Sequence, residues 1–313
     1  MFGFGKKKAP AAPVTPTVAE DEGRDPNYGE LELTHVGKYE ILKPIGSGGM
    51  GTVYKALDRE RDQLVAIKVL DRRYDLDKKR RKSDYLGREI LIAASLDHKS
   101  IVRMHKQVVL QEDVGGNVRR CLIMEFVDGH NLRKHINDRD LTMPQMIKLC
   151  INLGEGLDFL HQHDIVHRDV KPENFLFTRD MKQVKIVDFG LSKSRATWRT
   201  RWIKEAGGTR RYMSPEQLQK KKLDARSDIF SFGITMFELF TGQHPCSASD
   251  TRDVQKQILS SSYRFPIPSR LNPEIPRELD RIILKAMRRK MTDRYQSMTE
   301  MLMDLSRIAE SRI

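Results

Sequence analysis

Two nearby segments carry the strongest signal in this chain: Ile165-Val-His-Arg-Asp-Val-Lys-Pro-Glu-Asn-Phe-Leu-Phe177 and Val184-Lys-Ile-Val-Asp-Phe-Gly190. Two short apolar strands are predicted to frame the polar loop of the first segment. The second segment begins as another apolar strand, which ends just before Asp188.

The polar residues of these segments suit phosphoryl chemistry. Asn174 and Asp188 are fourteen residues apart, and their amide and carboxylate oxygens are ligands that suit a hard, octahedral Mg²⁺ ion. Asp169 offers an acceptor for a hydroxyl proton. Lys171 offers a positive charge for a transferring phosphoryl group.

A glycine-rich segment lies far upstream, with glycines at 46, 48 and 51. Glycine allows unusual backbone angles and lets backbone amides approach a phosphate closely. The same spacing fits a dinucleotide-binding turn, but that turn needs a helix directly after the glycines. A strand is predicted here instead, over Thr52–Ala56, so the loop caps a hairpin. The glycines alone leave open a flexible hairpin without a ligand.

Lys68 follows Gly51 by seventeen residues, in the apolar run Val65-Ala-Ile-Lys68. A buried lysine is costly without a partner, so an anion is expected beside it. The anion is either a phosphate or a carboxylate, and Glu89 on the following helix is a candidate. The alternative is a strand residue whose ammonium group reaches water.

Residues 1–36 are predicted to be a disordered tail, because they are rich in proline and charge and show no period. Apolar patterns then predict strands over 39–42, 51–56, 63–70, 101–110 and 120–127. Helices are predicted over 144–163, 224–241, 250–259, 276–287 and 297–309. The pattern indicates a small β-rich lobe followed by a larger helical lobe.

Composition narrows the class of protein. Of 313 residues, 39% are hydrophobic, which excludes a wholly disordered chain. No apolar run reaches the roughly 18 residues that span a bilayer, and residues 1–8 have neither an apolar signal region nor a myristoylation glycine. Three dispersed cysteines fit a reducing compartment, so we expect a cytoplasmic protein that is not integral to a membrane.

The net charge of +13 points to an anionic partner without identifying it. The basic run at 78–82 lacks interleaved aromatic residues, so a solvated loop is expected and nucleic acid is disfavoured.

Taken in order, the motifs resemble those of the eukaryotic-type (Hanks-type) Ser/Thr protein kinases over about residues 38–310, most closely the bacterial branch. The resemblance rests on the glycine-rich loop with Val53, the VAIK lysine Lys68, the helix residue Glu89, His-Arg-Asp at 167–169, Asn174, Asp-Phe-Gly at 188–190, and Ser214-Pro-Glu216 for the usual Ala-Pro-Glu. It implies an α+β bilobal fold, with an N-terminal lobe over 37–127 and a C-terminal lobe over 128–313. It also implies ATP-dependent phosphorylation of Ser/Thr hydroxyls on proteins.

By this resemblance, the catalytic residues are Asp169, Lys171 and Asn174. Asp169 positions and deprotonates the substrate hydroxyl, and Lys171 stabilises the γ-phosphate of ATP. Asn174 and Asp188 hold Mg²⁺, with Mn²⁺ as an alternative.

The resemblance also implies a nucleotide site between the lobes. Lys68 contacts the α- and β-phosphates and pairs with Glu89, while backbone groups of Glu125 and Val127 meet adenine. Three apolar side chains enclose the adenine ring: Val53, Ala66 and Leu176. Met124-Glu-Phe-Val127 resembles the hinge between the lobes. The remaining implied contacts are the glycine-rich loop and the first residue of this hinge: Ile45, Gly46, Ser47, Gly48, Gly49, Met50, Gly51 and Met124.

Two further roles are implied outside the site: Asp228 supports the catalytic loop, and Arg294 pairs with Glu216. Between Asp188 and Glu216 the chain holds Trp198 and Trp202. We hypothesise that this piece is rearranged by phosphorylation, with Arg168 receiving the phosphate. The alternative is that both rings simply anchor the loop. The candidate phosphorylation sites are Ser192, Ser194, Thr197, Thr200 and Thr209.

Two other functions are considered beside protein phosphorylation. A pseudokinase scaffold is disfavoured because the chain keeps Lys68, Asp169, Asn174 and Asp188. A small-molecule kinase is disfavoured by Thr209 and the Ser-Pro-Glu segment, which resemble a peptide-docking region. The expected partners are proteins with Ser/Thr hydroxyls and a second copy of the chain for trans-autophosphorylation.

Overall fold

The computed structural model describes residues 33–48, 51–71, 92, 94–112, 118–189 and 208–310. These residues form a β-rich N-terminal lobe and a helical C-terminal lobe, which is the α+β bilobal fold expected from the sequence.

The N-terminal lobe is built on one antiparallel sheet of six strands in the order β1-β2-β3-β4-β6-β5. The strands are β1 (His35–Val36), β2 (Tyr39–Gly48), β3 (Gly51–Asp58), β4 (Gln63–Leu70), β5 (Met104–Glu112) and β6 (Val118–Glu125). Successive side chains of a strand point to opposite faces. Ile67 and Ile123 therefore pack in a cluster with Tyr39, while Ala66 and Met124 pack in a separate cluster that includes Leu160 of the C-terminal lobe.

The C-terminal lobe contains a second sheet, β7-β8-β9, and most of the helices among the residues described. Its strands are β7 (Gly129–Asn131), β8 (Phe175–Thr178) and β9 (Val184–Ile186). Its helices are α1 (Leu132–Asp138), α2 (Met143–Gln162), α3 (Pro215–Leu218), α4 (Ala225–Thr241), α5 (Thr251–Leu259), α6 (Pro268–Leu271), α7 (Arg277–Ala286) and α8 (Met298–Glu310).

Helix α4 is the centre of the helical lobe, because every residue from Ser227 to Thr241 is buried. A helix that is apolar on most sides needs neighbours all round it. Asp224 caps its first turn through the backbone N–H of Arg226. Gly242 ends it with a φ of +71°, a left-handed conformation that glycine adopts without strain.

All five predicted helices are confirmed with ends within one residue, since their amphipathic or apolar periods extend over three turns or more in most cases. The strand ends are less accurate. The strand predicted over 101–110 is Met104–Glu112, and the one predicted over 120–127 is Val118–Glu125. Residues 101–103 leave the sheet because this segment pairs with β9, where the Val102 N–H donates to the Ile186 carbonyl at 3.0 Å.

Two other predictions need correction. Residues 35–36, assigned to the disordered tail of 1–36, form β1 and pair with Tyr39–Glu40. A two-residue strand is too short to show a period in the sequence. Residues 165–166, predicted as a strand before the polar loop, form none, although Ile165 is buried.

No helix in the described ranges is both long enough and apolar enough to cross a bilayer.

Candidate active site

The loop that carries Asp169 is held by Asp228 of helix α4. Asp228 is 1% exposed, and its carboxylate accepts hydrogen bonds from the backbone N–H of His167 at 2.7 Å and of Arg168 at 2.8 Å. His161 Nε2 lies 2.8 Å from the same carboxylate. Arg168 has a φ of 66°, a conformation that costs a non-glycine residue roughly 1–2 kcal/mol. Asp228 offsets this strain, which confirms its predicted support of the loop.

The three predicted catalytic residues lie together. A short 3₁₀ turn over Pro172–Asn174 folds Asn174 back onto Asp169. The Asn174 side-chain amide donates to the Asp169 carbonyl at 2.7 Å and to Asp169 Oδ2 at 2.8 Å. Lys171 Nζ lies 3.2 Å from the same Oδ2 atom. One carboxylate therefore has a lysine and an amide within reach, which fixes its orientation.

Lys68 and Asp188 form an ion pair that joins the two lobes. Lys68 lies on β4, Asp188 follows β9, and the Lys68 Nζ to Asp188 Oδ1 distance is 2.7 Å. The Lys68 side chain is 4% exposed and that of Asp188 is 31% exposed. The anion expected beside Lys68 is therefore a carboxylate in this structure, and it belongs to Asp188. The carboxylate predicted for this place, Glu89, lies outside the described residues.

The glycine-rich segment caps the β2–β3 hairpin, as predicted from the strand that follows it. Gly48 pairs with Gly51, which has a φ of +136°. A Cβ atom at Gly51 would lie 2.0 Å from the Val69 carbonyl oxygen, so only glycine fits against β4 there. A Cβ atom at Gly46 or Gly48 would meet no other atom within 4 Å, so these two glycines border open space.

Four of the predicted nucleotide-site residues share one apolar cluster between the lobes. Ala66 and Met124 are opposite each other on β4 and β6, and Val53 and Val127 pack against them. Leu176 lies on β8 in the other lobe, where it is half-buried.

Several predicted positions cannot be placed. Gly49, Met50 and Glu89 lie outside the described residues, as does the segment of the activation hypothesis with its two tryptophans and its candidate sites Ser192, Ser194, Thr197 and Thr200.

Sequence reasoning missed a partly buried polar network beside the loop that carries Asp169. Arg133 of α1 contacts Glu238 at 2.8 Å and Glu173 at 2.9 Å. Tyr212 donates to Glu238 at 2.5 Å. Burial by itself would lower the pKa of Arg133, but its hydrogen bond to Glu238 raises that pKa overall. The available signal was Glu238 itself, a charge inside an apolar helix that needs a buried partner.

The distant pair predicted from the motifs is confirmed. Arg294 donates from two nitrogens to both carboxylate oxygens of Glu216, at 2.7 and 2.8 Å. Glu216 belongs to the Ser-Pro-Glu segment, so this contact holds the segment against the helical lobe.

The family pattern described as "Protein kinase domain" matches residues 39–304. The chain belongs to the protein kinase family. The matched range includes the catalytic loop, both residues of the Lys68–Asp188 pair and the Glu216–Arg294 pair, so the resemblance drawn from the motifs is confirmed.

Curated relatives are bacterial Ser/Thr kinases. The probable serine/threonine-protein kinase PknB of Lactococcus lactis is 34% identical over 274 residues, which cover 86% of this chain and 42% of the relative. PknB of Mycolicibacterium smegmatis is 34% identical, covering 88% of this chain and 43% of the relative. PrkC of Bacillus subtilis is 32% identical, covering 86% of this chain and 40% of the relative. The chain thus spans less than half the length of these relatives.

Among solved structures, the kinase domain of PknI from Mycobacterium tuberculosis matches with a TM-score of 0.65 and 25% identity, covering 87% of this chain and 97% of that domain. This likeness confirms the bilobal kinase fold.

Proposed function

We propose that the chain transfers the γ-phosphate of ATP to Ser/Thr hydroxyls of proteins. One observation carries the proposal: the Asp169 carboxylate lies within 3.2 Å of Lys171 Nζ and 2.8 Å of the Asn174 amide nitrogen. A proton acceptor, a cation and an amide are thus assembled on a single loop. The curated relatives, which are named Ser/Thr kinases, support the same activity.

In this proposal Asp169 orients the substrate hydroxyl and accepts its proton as the oxygen attacks phosphorus. Lys171, already beside that carboxylate, places its charge near the phosphoryl group in transfer. Lys68 holds the α- and β-phosphates. Its side chain is 4% exposed and that of its partner Asp188 is 31% exposed, so phosphate oxygens can approach from the open side of Asp188.

Kinases of this family use ATP with a divalent metal ion, and the residues here fit one. Both donor contacts of the Asn174 amide nitrogen go to Asp169, which turns its amide oxygen towards other partners. Asp188 adds a carboxylate that is partly open to solvent. Amide and carboxylate oxygens suit a hard cation, so we assign Mg²⁺ to Asn174 and Asp188, with Mn²⁺ as an alternative. When bound, the ion neutralises charge on the phosphate oxygens.

For the base of ATP we assign the apolar cluster between the lobes. Val53 and Ala66 cover one side, Leu176 covers the other, and backbone groups of Glu125 and Val127 meet the edge of the ring. The glycine-rich hairpin covers the phosphates, and the open space at Gly46 and Gly48 supports that assignment.

The substrates proposed are proteins with Ser or Thr at the acceptor position, including a second copy of the chain in trans-autophosphorylation. A cytoplasmic location is proposed as well, from the dispersed cysteines, all three of which are buried in the structure.

The test is transfer of labelled phosphate from ATP to the chain itself and to a generic basic protein. Asp169→Asn keeps the size of the side chain but removes the proton acceptor, so we expect kcat to fall about 10²–10⁴-fold. Asp138→Asn is the matched control, because Asp138 lies on the surface of α1 and pairs with Lys134. Near-normal turnover by Asp169→Asn would remove the assignment.

A further inference from the structure

Lys185 occupies a central place on β9, three residues before Asp188. It lies directly opposite Leu176 of β8. Opposite residues of antiparallel strands point to the same face of the sheet. The lysine stem therefore shares a face with Leu176, the residue assigned to the floor of the nucleotide site.

The charged end of Lys185 reaches the end of strand β6. Its Nζ lies 2.8 Å from Glu125 Oε1, and the two side chains are 13% and 28% exposed. The same Nζ also lies 3.5 Å from the Ile101 carbonyl oxygen. A lysine of the C-terminal lobe is thus paired, in a largely desolvated place, with the residue whose backbone is assigned to adenine.

A short backbone segment between Lys185 and Glu125 is hydrogen-bonded to both of their strands. The Ile186 N–H donates to the Ser100 carbonyl at 2.8 Å, and the Glu125 N–H donates to the Arg103 carbonyl at 2.9 Å. The short segment 100–103 therefore lies between β9 and the end of β6. Lys185 spans this segment and ties its two neighbours together.

We propose that Lys185 is a positioning residue for nucleotide binding. Its pair with Glu125 sets the distance between the adenine-binding end of β6 and the strand that leads to Asp188. ATP needs both ends at once, the base at the hinge and the phosphates near Asp188, so a fixed span lowers the ordering cost of binding. This inference rests on the proposed function.

A second ion pair provides a matched comparison. Arg179 Nη2 lies 3.2 Å from Asp128 Oδ1, and this pair also joins the chain just after the hinge to the β8–β9 hairpin. Its side chains are 81% and 59% exposed. An exposed pair is screened by water and salt and contributes little. The two pairs join similar parts of the chain and differ in burial. Comparing them therefore tests whether the buried Lys185–Glu125 pair positions the two strands or whether any ion pair at this place has the same effect.

The experiment measures the equilibrium Kd for Mg²⁺-ATP, by titration, in the full chain. For Lys185→Met we expect a Kd about tenfold higher, in the range that couplings between neighbouring elements produce. Lys185→Arg should bind nearly as wild type, because it keeps the charge near Glu125. Arg179→Met should stay within about twofold of wild type, as exposed pairs do.

Kinetics provide a readout that a purely structural role would not move. The KM for ATP should rise with the Kd in Lys185→Met, while kcat at saturating ATP falls much less, because Asp169 is untouched. The double variant Glu125→Lys with Lys185→Glu should recover part of the affinity. Should Lys185→Met fail to fold, Glu125→Gln carries the same test, since it removes the charge from the other end.

Equal Kd values for Lys185→Met and Arg179→Met, at matched thermal stability, would overturn the inference. Failure of the proposed function gives a different result: wild type itself would bind no Mg²⁺-ATP, or would bind it and transfer no phosphate.

Discussion

Two ion pairs of this chain have the same closest distance and opposite surroundings. Arg294 and Glu216 approach to 2.7 Å with side chains 0% and 5% exposed. Lys68 and Asp188 also approach to 2.7 Å, but the Asp188 side chain is 31% exposed. Distance alone therefore does not distinguish a pair that supports the fold from a pair that we propose takes part in phosphate transfer.

The other contacts of the cations make the difference. The Arg294 guanidinium binds both oxygens of Glu216 and also donates to the carbonyls of Arg226, Arg288 and Arg289. All of its nitrogens are thus committed to the protein. Lys68, by contrast, is a point charge, and the side chain of its partner Asp188 is 31% exposed. A phosphate that approaches from the exposed side of this pair can therefore share the lysine with Asp188.

The largest expected effect comes from breaking the Lys68–Asp188 pair. Lys68→Met should lower the rate of phosphate transfer by at least about 10²–10³-fold, because it removes the charge that we propose binds the phosphates. The fold should be nearly unaffected, since the Asp188 carboxylate left behind is reached by water. Transfer of labelled phosphate and urea unfolding measure the two effects separately.

Lys43→Met is the control for this variant, because Lys43 is exposed on β2 of the same sheet. A large loss of stability in Lys68→Met, equal to that of a core mutation, would contradict the distinction between the two pairs.

Breaking the Arg294–Glu216 pair, called the closed pair below, should mainly lower stability rather than the rate of phosphate transfer. Arg294→Met leaves Glu216 buried without its cation, and removing one partner of a buried pair typically costs about 3–5 kcal/mol of unfolding free energy. Urea unfolding, followed by circular dichroism, measures it. Arg307→Met is the control, because Arg307 is 74% exposed in its pair with Asp304. A loss below that of the control, or normal stability with lost activity, would reverse the roles of the two pairs.

The sequence allowed much of this contrast to be predicted, because both pairs belong to motifs in a recognisable order. Lys68 on an apolar strand requires an anion for physical reasons alone. The carboxylate predicted beside it was Glu89, which lies outside the described residues. Among the residues described, Lys68 pairs with Asp188, a contact between residues 120 positions apart that depends on the folded topology.

Contacts without a motif were not predicted. Glu238 marks a charge within an apolar helix, but its partner Arg133 lies 105 residues earlier on an amphipathic helix that the sequence did not suggest. Lys185 looks like an ordinary strand residue until the fold places β9 and the end of β6 on the two sides of segment 100–103. Pairings at such separations depend on topology, whereas helix ends depend on local period and capping, which explains why the helices were predicted well.

A third prediction concerns the protonation of His244, a side chain whose hydrogen-bonding groups are, like those of Arg294, committed to the protein. His244 is half-buried, with Nε2 3.1 Å from the Arg211 carbonyl oxygen and Nδ1 accepting from the Cys246 N–H at 3.1 Å. Burial, assisted by the charge of Arg211, lowers the pKa of His244 from 6.5 to about 4. Both nitrogens of the neutral ring thus already have hydrogen-bond partners, as the nitrogens of Arg294 do. A second proton, on Nδ1, would point at the Cys246 N–H, which is itself a donor.

The unfolded chain binds this proton near pH 6.5 and the folded chain near pH 4, so the unfolded state carries more protons between them. The contribution of His244 to stability is complete above pH 6.5 and is lost as the pH falls towards 4, by about 3 kcal/mol in total. Unfolding free energies from pH 7 to 4 should therefore fall less steeply in His244→Gln than in wild type. His35→Gln, at an exposed histidine, should keep the wild-type slope; equal slopes in all three would refute the assignment.

The smallest expected effect concerns Ser214, which lies beside the closed pair and replaces the alanine usual in the family. Its Oγ accepts from the Gln217 N–H at 3.4 Å, and Gln217 Oε1 accepts from the Ser214 N–H at 2.9 Å. Ser214 Oγ also donates to Gln217 Oε1 at 3.1 Å. Ser214→Ala removes both bonds of this hydroxyl and keeps the one from the backbone N–H, so we expect a loss of about 1 kcal/mol, with normal phosphate transfer.

Combining Ser214→Ala with Arg294→Met tests whether the Glu216 pair depends on this cap. Ser214 precedes Glu216 by two residues, so both changes act on one short helix, and neighbours of this kind couple by about 0.5–3 kcal/mol. If the cap holds Glu216 in place for Arg294, its loss should cost less once Arg294 is gone. Strict additivity would show that the guanidinium, with its five bonds to the protein, orients Glu216 without help from the cap.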